Sequence, residues 1–206
     1  MERLVHEPSS SSKTLELVGV IRPNLGAQRK VRPLVHDLTR PLPFQTNTIS
    51  AIYGSHVLEH LYHVDAQRLL AECKRVLKPG GVLWLVVPDL RSMVSDHLKK
   101  SGNGSQSNVC AADELNERLG YKSPAPNNGN AVFKFYAIWK DFHSHKWMYD
   151  SESLKRFLLV IGFKEAAEKQ YRQSDIVGIE EVGEADRVLN GAGVCVEAKK
   201  PGLEKP

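Results

Sequence analysis

Apolar positions come in two rhythms along this chain. From Ile49 to Tyr53 and again from Val82 to Val87 they run almost unbroken, as in strands of a parallel sheet covered on both faces. Between them Leu69, Leu70, Cys73, Val76 and Leu77 recur at i, i+1, i+4, i+7 and i+8, which lays one apolar stripe along a helix. Asp65 is the expected N-cap of that helix. Lys78-Pro79-Gly80-Gly81 ends it, with positive charge at the helix's negative pole and residues that cannot continue the turn. Strand, helix and strand with short connections make a βαβ unit.

Upstream, Leu15 to Ile21 suits a strand that Arg22-Pro23-Asn24 and Gly26 break, and Val31 to Val35 suits another that ends at His36 and Asp37. Downstream, the stretch from Ser101 to Asn130 is rich in Ser, Asn, Gly and Pro, with a brief helical patch at Ala111 to Leu119, and reads as an insertion or lid. Ala131 to Phe142 is apolar all round, as for a helix packed into the domain or over a pocket. Asp150 should cap a helix from Ser151 to Ile161, with Gly162 at its end. Closing strands are expected near Phe163 to Tyr171 and Gly193 to Lys199, as an antiparallel edge of the sheet.

With 206 residues and 41% hydrophobic content, the chain can bury one ordinary core. The expected division is a flexible leader over 1–13, one domain over 14–201 with its insertion at about 100–130, and a tail over 202–206. Lys and Arg exceed Asp and Glu by four, yet the two signs are interleaved, so no nucleic-acid partner is expected. No apolar run approaches a membrane span, and the expectation is a cytoplasmic protein without a membrane partner. Cys73, Cys110 and Cys195 lack the paired spacing of a zinc site or a disulfide framework.

Three further pieces stand in order: Asp37-Leu38 with Pro41 to Phe44, then Ser55 to Leu61 reading S-H-V-L-E-H-L, then Arg75 to Gly81 reading R-V-L-K-P-G-G. Together they resemble the class I S-adenosylmethionine-dependent methyltransferases, in particular the type 11-like branch. His145-Lys146-Trp147-Met148-Tyr149, the helix from Ser151, and Val196 to Pro201 look like the C-terminal half of that branch. The resemblance implies an α/β, Rossmann-like sheet, mostly parallel with an antiparallel C-terminal edge, S-adenosylmethionine as cofactor across the carboxyl ends of its strands, and a small-molecule acceptor.

The branch's first strand ends in a glycine-rich loop followed by an acidic residue for the ribose, and this chain has neither: Gly19 and Gly26 are isolated. The N-terminal portion of the fold is therefore expected to be incomplete. A truncated gene model or isoform, a degenerate enzyme and a different mode of cofactor binding all fit that gap, the first weighing most. The function expected is methyl transfer to an oxygen or nitrogen of a small-molecule or sugar-like acceptor. The alternatives are a catalytically silent binding or regulatory protein and a fragment of a methyltransferase.

The same resemblance sets Asp37 or Leu38 beside the adenine at the end of a third strand, against the plainer reading of a turn aspartate ahead of Pro41. Ser55 and His56 follow the strand at Ile49 to Tyr53, near the transferable methyl. His56 has the titration range of a base that takes an acceptor's proton, and is otherwise hydrogen-bonded scaffolding. His145, with His143, Trp147 and Tyr149, forms a candidate wall toward the substrate, or anchors a lid to the core. Asp89 either faces the substrate or caps a helix. His56, Glu59 and His60 spell H-x-x-E-H, which tempts a metal reading. Some O-methyltransferases related to the branch hold a divalent cation with E-x-x-E-H, but the broader branch carries Glu59-His60 without metal, and none is expected here.

Overall fold

The structure is a computed structural model that describes residues 2–3, 18–21, 34–102, 110–121, 145–179, 188 and 193–202. The expected helix at Ala131 to Phe142 and His143 lie outside these residues. Strands β1 (Glu2–Arg3), β2 (Val18–Ile21), β3 (Ile49–Ser55), β4 (Leu77–Pro88), β5 (Lys164–Lys169) and β6 (Gly193–Lys199) form one sheet in the order β1-β2-β3-β4-β6-β5. Helices α1 (His63–Val76), α2 (Leu90–Gly102), α3 (Ala111–Arg118) and α4 (Ser151–Ile161) complete the described elements. This is an α/β arrangement.

The βαβ unit is present as expected: β3 and β4 pair in parallel, with α1 as the crossover. The antiparallel edge is present as well, β6 lying against β4 and β5 against β6. The expectation of a mostly parallel sheet is corrected. Among the described residues β3–β4 is the only parallel pair, since β2 runs antiparallel to β3 and β1 to β2. A parallel pair needs a crossover between its strands, and α1 is the one described helix that joins two neighbours in this way. The strand expected at Val31 to Val35 is not seen in its described part, because Leu34 and Val35 are exposed and outside any strand.

Alternation along the strands sorts the core into two faces. Ile52, Leu83, Leu85, Val87, Val194, Val196 and Ala198 point to the side covered by α1 and α4, where they meet Leu69, Leu70, Cys73, Val76, Leu154 and Leu158. Ala51, Tyr53, Val82, Trp84, Val86 and Cys195 point to the other side and meet Ile176 and Ile179. The helical stripe is therefore the buried one, each Leu contributing about 1.5–3 kcal/mol.

Helix α1 starts at His63, so Asp65 is not its N-cap; that position belongs to Tyr62, and Asp65 lies in the first turn, paired with Arg68 at 3.2 Å. There its charge still faces the positive end of the helix dipole. At the far end Lys200 Nζ donates to the Arg75 and Leu77 carbonyls at 3.2 and 2.8 Å, which accounts for the lysine of the C-terminal motif. Gly81 stands where a Cβ would meet the Lys78 carbonyl at 2.8 Å and the Ser50 carbonyl at 3.1 Å, so strands β3 and β4 close up only over glycine. Asp150 caps α4 through a reciprocal capping box with Ser153, and Gly162 ends the helix at φ 93°.

Candidate active site

Parts of the first and third ordered motifs are tied to each other. Arg75 donates to the Leu42 and Phe44 carbonyls, each at 3.0 Å, and to both oxygens of Glu72, which in turn accepts from the Leu42 N–H at 2.8 Å. This network pins the Pro41 to Phe44 corner onto α1, with Leu42 buried beneath it. Glu72 is held below its ordinary pKa chiefly by the Arg75 guanidinium.

The remaining motif, Ser55 to Leu61, stands at the carboxyl end of β3. Ser55 is buried, and its Oγ has no hydrogen-bond partner among the described residues. His56 takes the left-handed backbone conformation at φ 53° while its N–H donates to the Val86 carbonyl at 2.9 Å, so the chain turns sharply without leaving β4. A 3₁₀ turn, Leu58–His60, follows and buries Glu59 completely. Glu59 Oε1 lies 3.1 Å from His56 Nδ1 and 3.9 Å from His60 Nε2.

A distant segment closes on this turn. Lys146 and Trp147 donate their backbone N–H groups to the Glu59 carbonyl, the second at 3.2 Å. The His145 ring meets that of His60 edge-on, 5.0 Å between centroids. Burial keeps His145 below its ordinary pKa, against the Glu59 charge and the Leu119 carbonyl, which pull the other way. Tyr149 bridges to Asp89 at the end of β4, its ring buried and its hydroxyl unpartnered among the described residues. Burial and the Glu59 carboxylate push that phenol well above its ordinary range.

The fold thus places Ser55 and His56 at the carboxyl end of β3, with His145 against His60 in the turn that follows. The other candidates fall elsewhere. Asp37 is a turn aspartate: its Oδ1 accepts from the Thr39 N–H at 3.0 Å and hydroxyl at 2.7 Å, and Arg40 stands 3.5 Å from Oδ2. Leu38 is buried in the main core cluster. Asp89 accepts from the Arg91 N–H at 3.0 Å and so starts α2. Trp147 meets the His63 ring at a tilt of 56°, 4.8 Å between centroids, and stays 49% exposed. A groove of about 1010 Å³ between α1 and α4, lined by His63, Gln67, Phe157 and Val160, contains none of the residues from Ser55 to His60.

Sequence reasoning undervalued Glu59. A carboxylate inside the apolar run Val57, Leu58 and Leu61 was the available signal, since a buried acid demands a partner.

Residues 13–85 match the family model described as a methyltransferase domain. No curated protein matches the chain. Among solved structures it is similar to a chain of a Haloferax volcanii complex that contains the Trm112 methyltransferase activator, at 14% identity and a TM-score of 0.47 over 85% of this chain and 64% of that one. A possible histamine N-methyltransferase from Thermotoga maritima shares 18% identity over 82% of this chain and 64% of its own, with a TM-score of 0.44. For a SAM-dependent methyltransferase from Archaeoglobus fulgidus the values are 16%, 83%, 68% and 0.45. The chain thus spans less than two thirds of the first two structures. No described helix is long and apolar enough to cross a membrane.

Proposed function

We propose, from the match of residues 13–85 to a methyltransferase domain, that this chain is an S-adenosylmethionine-dependent enzyme that transfers a methyl group to an oxygen or nitrogen of a small-molecule or sugar-like acceptor. The observation that carries the reading is the position of Ser55 and His56 at the carboxyl end of β3, with His145 docked on His60 in the turn that follows, where open α/β sheets bind their ligands. In it Ser55 and His56 stand on the cofactor side; the adenine-side role that the resemblance gives Asp37 and Leu38 is not part of it, since the Asp37 carboxylate is engaged within its own turn and Leu38 is buried in the core. His56 and His145 stand on the acceptor side.

S-adenosylmethionine, the cofactor this family implies, supplies an electrophilic methyl on sulfonium. The described residues do not complete a cradle for it. The orphan hydroxyl of Ser55 suits a polar ligand, but the Asp37 carboxylate is already engaged, and β2 presents its first residue, Val18, opposite Gly54 at this edge instead of a strand end with a glycine loop. What the chain's own groups would do is hold the acceptor and take its proton, with His56, its Nδ1 3.1 Å from Glu59 Oε1, as the base.

The incomplete cradle supports a second reading, a catalytically silent protein that binds a partner. Calorimetric titration with S-adenosylhomocysteine separates the two. Saturable binding supports the enzyme, and no binding, either by this chain or by one extended upstream, overturns it. In an active preparation His56→Ala should lower methyl transfer by about 10²–10⁴-fold, the range of a lost acid–base group, with cofactor affinity nearly unchanged. Equal loss of both would make His56 structural.

A further inference from the structure

From the geometry around Glu59 we propose a binding site for one divalent transition-metal cation, held by Glu59, His60 and His145. Each offers a ligand atom, and these atoms lie within 4.8 Å of one another. Ligands about 2.1 Å from a tetrahedral ion stand about 3.4 Å apart, so side-chain rotations that close the widest separation by up to about 1.4 Å would complete the coordination. Two imidazole nitrogens with one carboxylate oxygen favour zinc, iron, cobalt or manganese over calcium and magnesium, which prefer all-oxygen sites.

Three features of the protein support the assignment without recourse to methyl transfer. Glu59 is fully buried, and among the described residues neither Lys nor Arg pairs with it; its ion-pair distances are to His56 and His60. A bound cation would supply the compensating charge that a buried carboxylate needs. The ligands come from two chain segments already tied backbone to backbone, since Lys146 and Trp147 donate to the Glu59 carbonyl, so little ordering remains to be done on binding. His56 Nδ1 lies 3.1 Å from Glu59 Oε1, the distance at which an outer-shell partner of a ligating carboxylate would stand.

The ligand set is one that the H-x-x-E-H spacing alone does not give. The converging set leaves out His56, and its third ligand, His145, comes from 85 residues beyond His60.

The test is titration of the chelator-treated chain with zinc and with cobalt, read by calorimetry, by the visible absorption of cobalt and by thermal unfolding. The expected result is one ion per chain, a rise in Tm, loss of that binding in Glu59→Gln and in His145→Ala, and a fall of about 10–100-fold in affinity in His56→Ala. Circular dichroism identifies variants that retain the fold, and a Cys110→Ser background removes the exposed thiol as a competing ligand. If neither metal binds at one per chain, or if folded Glu59→Gln and His145→Ala bind as the parent does, the site is a hydrogen-bonded brace and the proposal falls. Because binding is read without substrate or turnover, failure here leaves the methyl-transfer reading standing, and failure of S-adenosylhomocysteine to bind leaves this one standing.

Discussion

His56 holds its ring 3.1 Å from the buried Glu59 carboxylate while its own backbone sits at φ 53°. The left-handed conformation costs a residue with a Cβ roughly 1–2 kcal/mol, so the side chain is kept at a conformational penalty. His56→Gly and His56→Ala both remove the imidazole, but only glycine relieves the backbone. Urea unfolding should find His56→Gly more stable than His56→Ala by about 1 kcal/mol.

Asp150 accepts the Ser153 N–H at 2.8 Å, and that bond is the main reason its carboxyl lies below the ordinary value of 3.8. A depressed folded-state pKa stabilises the fold fully above the unfolded value, and the contribution disappears as pH falls through the folded value. Asp150→Ala should cost about 1 kcal/mol at neutral pH. The gap between parent and variant should narrow as acid unfolding is followed below the ordinary aspartate value.

Gly162 combines φ 93° with a position where a Cβ would lie 2.4 Å from Lys74 Nζ, the group that donates to the Ile161 carbonyl at 2.9 Å. Gly162→Ala should lose about 1–2 kcal/mol from the backbone alone, plus whatever moving Lys74 costs. In a double-mutant cycle with Lys74→Ala the second part should vanish and the first remain.

The thiols should divide cleanly. Burial pushes Cys73 up to about 12 and Cys195 up to about 11, whereas Cys110 is exposed. At pH 8 a disulfide reagent should therefore label one cysteine rapidly, and the other two only at the rate of unfolding. Mapping the label to Cys73 or Cys195 in the folded protein would contradict the packing.

The crossover helix, its stop at the Lys-Pro-Gly-Gly run, the Asp150 cap and the antiparallel closing strands were legible in the sequence because each rests on local causes: period, capping chemistry and glycine's freedom. Leu69, Leu70, Cys73 and Val76 fall on one side of a helix whatever surrounds them. The direction of β2 was not legible, because an apolar run suits a strand of either direction and only its pairing partner decides. The same distinction governs the site. Ser55 and His56 could be placed at a strand end from sequence alone, and Asp37 could be suspected of being a turn residue from Pro41. That His145 would cross to the rim of β3 and meet His60 over a fully buried Glu59 depends on contacts 85 residues apart, set by the docking of one backbone segment onto the Glu59 carbonyl. Sequence determined the residues available for chemistry; tertiary structure decided which of them share one buried, low-dielectric place, since burial and proximity between distant segments leave no local pattern.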